Sequence, residues 1–389
     1  MSSIFRRPVC IIIAAAAVSI CIAGNAHAAC IAPSFTYDVN ATLRSCNDRL
    51  KEAALAGAER ASLLVLRGRS LNVAGQRDAA IHDLDAALAL EPDDPGALAA
   101  RGWAALDEWD FATAEAIAAK LRAANPDNAT AYDIAGVAAF DKKDYAAAKK
   151  LFDKCIALRP SDVVARYNRI VLYRVTGHHR AVIAEADALL ALDAPDLDTL
   201  HSTLDKKRVT FRTQTRLQRA LAIEALGVTA DAEKAYADWV AVEPGAVSYG
   251  YRSAFHWRLS HYDEALSDLD KALADDPNFW LLHYGQGEVY LFTDRSEDAV
   301  RAYSRAIELN PEEGASYWRR AMAERRLHRD DDALHDALKA VATDRGLRAR
   351  KIALLTKLGY LQLDPHDRHN PLPVLTEAVQ ACMLDEKCW

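Results

Sequence analysis

No C-x-x-C pair occurs in this chain, and it has no G-x-S-x-G, no H-E-x-x-H and no Gly-rich phosphate loop; only 16 of its 389 residues are glycine. The first absence removes zinc and dithiol redox chemistry. The others remove serine-hydrolase, zinc-protease and nucleotide-cradling machinery. Positive charge is also in short supply: 48 Lys and Arg stand against 55 Asp and Glu, a formal charge of −7. Such a chain would repel a phosphate backbone, so nucleic acid is excluded as a partner. Beyond residue 28 no stretch approaches 18 apolar residues, the length a membrane span requires. The acids are spread over turns, where Asp78 and Asp144 read as helix caps rather than as an acid/base pair. The sequence therefore reads as non-enzymatic, with no cofactor and no resident metal. His366 and His369 have H-x-x-H spacing, but they sit in a Pro-flanked loop without further ligands.

The one long apolar run is at the start. Arg6 and Arg7 precede fifteen apolar residues from Val9 to Ala23, and Ala26-His27-Ala28 forms an A-x-A site. Residues 1–28 thus read as a secretory signal peptide cleaved near Ala28, which predicts an exported, periplasmic protein. Its removal takes the formal charge from −7 to −9. Membrane association would require lipidation at Cys30, and His27 stands where a lipobox has Leu. Five cysteines follow residue 28. Cys30 and Cys46 near one end, and Cys382 and Cys388 near the other, are the disulfide candidates in an oxidising compartment. Cys155 is the odd one out and reads as a buried apolar thiol.

What the chain has in abundance is a repeated pattern. Residues 129–162 hold two apolar runs of helical period, Tyr132 to Phe140 and Tyr145 to Leu158, separated by a polar turn and closed by Pro160. Prolines 92, 126 and 160 recur at 34 residues, and 244, 277 and 311 at 33 and 34. A small-residue slot in the first run reads Gly68, Gly102, Gly136, Ala220, Ser253, Gly287 and Ala321, broken only by Ile170. An alanine slot in the second run reads Ala80, Ala114, Ala148, Ala232, Ala265, Ala299 and Ala333, broken only by Val182 in the same unit. Small side chains at these slots let two helices cross closely, with Tyr132, Tyr145 and Phe152 filling the space around the crossing.

This unit resembles a tetratricopeptide repeat, whose pattern is a large residue, a small slot four on, then Tyr, Ala, Phe, Ala and Pro. The resemblance implies an all-α fold, an α-α superhelix of about eight helical hairpins with N- and C-terminal capping helices. The expected organisation is a signal peptide at 1–28, an N-terminal cap at 29–60, four hairpins at 61–196, an insert at 197–212, four hairpins at 213–347 and C-terminal capping helices at 348–389. Residues 40–59 read as one amphipathic cap helix opened by Asn40. The insert, carrying Lys206, Lys207, Arg208 and Arg212, reads as a charged surface excursion or a partner-contacting loop.

The resemblance also implies that first helices line a concave groove. Tyr132, Tyr173, Tyr290 and Tyr317 fall on packing slots. Trp103, Tyr167, Tyr251, Trp257, Tyr284 and Trp318 fall off them, on the face turned to the groove. So do Arg69, Arg174, Arg258, Arg319 and Arg325, with Asp133, Asn168, Glu224 and Glu288 among them. Aromatic and arginine side chains dominate interface energetics, so this set is the candidate groove for a protein or peptide partner. A subset of the family clamps a C-terminal carboxylate with fixed Lys and Asn residues. Here Val65, Arg69, Ala99, Trp103, Asp133 and Val137 occupy those places, which argues against that mode. The functional expectation is a protein-protein interaction scaffold of the cell envelope. The alternative is a saccharide-binding module of a polysaccharide export or envelope-biogenesis system, with Trp and Tyr stacked on sugar rings.

Overall fold

The computed structural model describes residues 39–361 and 372–383, apart from 53, 54, 56, 199, 205 and 206. The segment 1–28, Cys30, Cys388, His366 and His369 lie outside the described residues.

After α1 (Val39–Arg49) the helices alternate in the predicted order. The first four pairs are α2 (Gly57–Val73) with α3 (Arg77–Leu90), α4 (Pro95–Asp107) with α5 (Phe111–Ala124), α6 (Ala129–Asp141) with α7 (Tyr145–Leu158), and α8 (Val163–Val175) with α9 (His179–Leu190). Residues 195–198 form a short 3-10 turn, and β1 (Leu200–Leu204) pairs antiparallel with β2 (Lys207–Thr210). Then come α10 (Phe211–Ala225), α11 (Thr229–Val242), α12 (Ala246–Arg258) with α13 (Tyr262–Asp275), α14 (Trp280–Phe292) with α15 (Ser296–Leu309), and α16 (Gly314–Arg326) with α17 (Asp330–Thr343). Helices α18 (Arg345–Leu358) and α19 (Leu372–Met383) close the series. The fold is all-α, a solenoid of helical hairpins, with one small ribbon as its only described strands. It divides into two compact units, one ending at Ala232 and the other starting at Glu233, a boundary inside α11.

The turn inside each hairpin has one chemistry. Gly75, Trp109, Lys143, Gly177, Gly227, Ser260, Asp294 and His328 all have φ between 57° and 81°, and each lies seven residues after a slot position. The next amide then reaches back to close the helix: Asp110 N donates to Ala105 O at 2.8 Å, Asp144 N to Ala139 O at 3.0 Å and Arg295 N to Tyr290 O at 2.8 Å. This is the left-handed C-terminal cap that stops a first helix and turns the chain into the second. The second helix opens on a cap where Asp is present: Asp110 accepts from Thr113 N and Asp144 from Ala147 N. Asp78 differs from expectation. Its helix is capped at Gln76, and Asp78 lies in the first turn, where it favours the positive end of the helix dipole.

The slots are as tight as the pattern requires. A Cβ on Gly136 would sit 2.5 Å from the Phe152 ring, and one on Gly287 2.5 Å from the Tyr303 ring. Both rings lie against bare backbone and are fully buried. A second tie joins the two helices of a hairpin. Arg67 bonds Asp83 through both carboxylate oxygens at 2.6 and 2.7 Å, Arg252 bonds Asp268 at 2.7 and 2.6 Å, and Arg320 bonds Asp336 at 2.6 and 2.8 Å. Each arginine directly precedes a slot residue, and each aspartate lies 16 residues on. Arg169 and Glu185 repeat the arrangement in the unit whose slots are irregular.

Several expectations need correction. The N-terminal cap is not one helix over 40–59. Helix α1 ends at Arg49 and α2 begins at Gly57, and Asn40 lies inside α1 rather than capping it. Lys51 follows the break, and the Gly57 backbone at φ 57° is left-handed, which a continuous helix would not adopt. Tyr132, Tyr173 and Tyr290 are half-buried rather than core, while Tyr317 is buried. Tyr132 instead donates its hydroxyl to Pro126 O at 2.8 Å, fastening its helix to the preceding loop. The insert forms a β ribbon, with Arg212 anchored on both Asp198 oxygens. Cys46 and Cys155 are buried thiols, and burial pushes Cys155 well up from its usual range, as an inert apolar thiol should be. Cys382 is buried among Leu375, Ala378 and Val379.

Candidate functional site

The site predicted from sequence is the exposed side of the first helices, and the two units treat it differently. In the unit ending at Ala232, neighbouring first helices touch each other, α2 to α4, α4 to α6, α6 to α8 and α8 to α10. That closure covers the very positions expected to be open. Trp103 is 3% exposed, Asp133 2%, Tyr167 5% and Asn168 4%. Asn168 Nδ2 donates to Asp133 Oδ1 at 3.1 Å, and Tyr167 meets the edge of Phe211 on α10 with ring centroids 5.5 Å apart. Burial first, and the nearby Asp162 second, push the Asp133 carboxyl well above the usual carboxylate range. These four are packing residues, not open groove residues. The reason is that a side chain leaving one first helix is covered by the next one, a contact that the repeat period does not encode.

Of the others in this unit, Arg69, Arg174 and Glu224 are half-buried. Arg69 and Trp103 border a small cavity of about 60 Å³ with Asn72, Leu84, Gly96, Ala99 and Ala100. Asn72 Nδ2 donates to Asp107 Oδ2 at 2.5 Å. Burial outweighs this bond and raises the Asp107 carboxyl to about 6.

In the unit starting at Glu233 the first helices again form a row, α12 beside α14 and α14 beside α16. Tyr284 (2% exposed) and Glu288 (0%) are buried, contrary to expectation. Tyr303 donates its hydroxyl to Glu288 Oε1 at 2.7 Å, and Arg319 Nε reaches the same oxygen at 2.9 Å. A buried charge requires a partner of this kind. Glu288 is therefore internal, and Arg319 is partly committed to it. Tyr251, Trp257, Arg258, Trp318, Arg319 and Arg325 are half-buried and keep part of their surface open.

Two residues that sequence reasoning missed belong to this second row. Phe292 is 51% exposed and stands edge-on to Trp257 with centroids 5.3 Å apart. It ends α14, one residue past the apolar slots, and its exposure depends on where the helix stops. Lys351 lies on α18, outside the repeat array, with Nζ 3.5 Å from the centroid of the Trp318 ring. No repeat register could have marked it. The slot aromatics, by contrast, carry cations on their outer faces, with Arg295 4.4 Å from the Tyr290 centroid.

Among the described residues no group of three or more His, Cys, Asp or Glu could hold a metal, and no helix is long and apolar enough to cross a membrane. What the arrangement offers chemically is contact: aromatic faces, arginine forks and one lysine.

Tetratricopeptide repeat models match this chain over residues 65–129 and 100–163, and again over 257–324. No curated protein matches. Among solved structures, a tetratricopeptide repeat protein from Parabacteroides merdae is similar at 18% identity, over 64% of this chain and 91% of that one, with a TM-score of 0.45. The Cut9–Hcn1 hetero-tetramer of the APC/C is similar at 14% identity over 79% and 57%, TM-score 0.44, and MamA at 19% over 46% and 96%, TM-score 0.37. The slots, turns and hairpins of the fold agree with the matched models: this chain carries tetratricopeptide repeats, in residues 65–163 and 257–324.

Proposed function

We propose that the protein is a non-enzymatic interaction scaffold of the cell envelope that captures a segment of a partner protein along its row of first helices. Tetratricopeptide repeats generally mediate protein-protein contacts, which supplies the class. The observation that carries the particular reading is the composition of the partly open residues in the unit from 233. Tyr251 and Trp257 stand there with Arg258 on α12, and Trp318 stands with Arg319 and Arg325 on α16. Tyr, Trp and Arg are the side chains that dominate interface energetics, and half-burial holds their rotamers so that little entropy is lost on docking. The inner row of the other unit is largely filled by its own packing, so the reading rests on the second row.

Envelope residence follows from the leader read in residues 1–28. Fusion of the first 40 or so residues to a reporter active only outside the cytoplasm tests it, and a reporter that stays inactive removes the envelope from the proposal. For capture, in-cell cross-linking of the full chain is compared with a variant bearing Trp257→Ala, Arg258→Ala and Trp318→Ala. Loss of the cross-linked partner with an unchanged helical circular dichroism spectrum is expected; retention of the partner refutes the assignment. Quenching of tryptophan fluorescence by envelope glycans, without any protein cross-link, would favour the saccharide module instead.

A further inference from the structure

Beside the second row of first helices stands a cation that no carboxylate among the described residues neutralises. Lys351 on α18 lies against the face of Trp318 on α16. Among the described residues no carboxylate comes within ion-pair distance of its amine. Burial first, and then the positive charges of Arg319 and Arg350, pull the amine down to about 8. Arg319 is itself paired with Glu288 through Nε. The Trp318 ring replaces part of the lost hydration, but an aromatic face is a poor substitute for an anion. A half-buried ammonium among like charges is costly to maintain, and an acidic protein of net charge −7 has many carboxylates it could have placed there. Two helices along the same row, Phe292 and Trp257 present an open apolar edge.

We infer that this row takes an acidic segment of a partner protein, with a carboxylate seated on Lys351 beside Arg350 and an apolar side chain laid against Phe292 and Trp257. The inference rests on the partner-capture reading above and adds the chemistry of the partner. Adjacent packed helices lie roughly 8–10 Å apart, so α14 to α18 is on the order of 20 Å, which about six residues of extended chain span. Docking supplies the missing negative charge to Lys351. It also covers Phe292, and charge complementarity of this sort fixes register as well as attraction.

The test uses the full chain and fluorescence anisotropy with a labelled peptide of about twelve residues built from Glu, Leu and Ser. Matched peptides replace Glu by Lys or by Ser, and an oligogalacturonate serves as an anionic saccharide. The Glu peptide is expected to bind, the Lys peptide not to bind, and added salt to weaken the complex. Lys351→Met should weaken binding at least about tenfold, since it removes a partly desolvated charge partner, while Lys351→Arg should restore most of it. Arg350→Ser, at an exposed position, gives a second arm with a smaller loss of about threefold, in the range of a rim charge. Equal binding of the Glu and Ser peptides, or an unchanged affinity in Lys351→Met and Arg350→Ser, overturns the acidic inference while leaving partner capture standing. Binding of oligogalacturonate alone overturns it in favour of a saccharide. Failure of every peptide overturns the acidic inference, while partner capture stands or falls on the cross-linking of the Trp257, Arg258 and Trp318 variant.

Discussion

Replacing Arg252 with Leu should expose how the hairpins are tied. Asp268 has a side chain only 3% exposed, and Arg252 meets both its oxygens at 2.6–2.7 Å. Removing the arginine leaves a carboxylate buried without its main partner, which costs about 3–5 kcal/mol in comparable buried pairs. His256 Nε2 lies 3.8 Å from Asp268, too far to replace a bidentate fork, and the arginine itself retains 20% exposure. Some water will therefore reach the orphaned carboxylate, which sets the expected loss near the lower end, about 3 kcal/mol. The double variant Arg252→Leu with Asp268→Leu removes both charges and should recover most of that loss, because two apolar groups need no partner. Repeat proteins need not unfold in one step, so the readout is amide hydrogen exchange resolved to α12 and α13, supported by guanidinium denaturation. A single variant that loses less than about 1 kcal/mol would refute the view that the pair holds the hairpin together. So would a double variant no better than the single.

Further outcomes follow from the same geometry. Gly136→Ala places a methyl 2.5 Å from the Phe152 ring, so it should destabilise by about 1–3 kcal/mol, and a variant as stable as the wild type in denaturant shows that the slot is not tight. Trp109 holds a left-handed φ of 62° while 68% exposed, so Trp109→Gly should raise the denaturation midpoint by about 0.5–1 kcal/mol of stability; a fall would mean that its edge contact with Phe111 outweighs the backbone strain. The Asp107 carboxyl is raised to about 6 in the folded chain from an ordinary 3.8, so its contribution is present below pH 4 and lost as pH rises through 6. That loss amounts to at most about 3 kcal/mol, and Asp107→Asn should flatten the melting temperature across this window. An unaltered pH profile in that variant removes Asp107 as its origin.

The left-handed turn residues were legible too, at a constant offset from the slots, yet they pass unnoticed because only three of the eight are glycine. The arginine before the slot and the acid 16 residues later were equally visible in the sequence. A reading that follows apolar period alone looks past charged residues. What misled it at the candidate site was a sound rule applied one layer too far. Slot positions do face the partner helix of their own hairpin, as Phe152 on Gly136 and Tyr303 on Gly287 show. By the same rule the off-slot positions read as open, yet Trp103, Tyr167 and Tyr284 are covered.

By itself the sequence determined the repeat length, the crossing points and the all-α hairpin order, because these depend on contacts between residues within about 34 of one another that the period records directly. Only the tertiary structure decided which first-helix side chains stay open, since that depends on how closely each hairpin's neighbour approaches. It also brought Lys351 from a capping helix onto Trp318. Contacts between one repeat and the next, or between repeat and cap, are set by rotation and distance between helices, and no residue spacing along the chain carries those quantities.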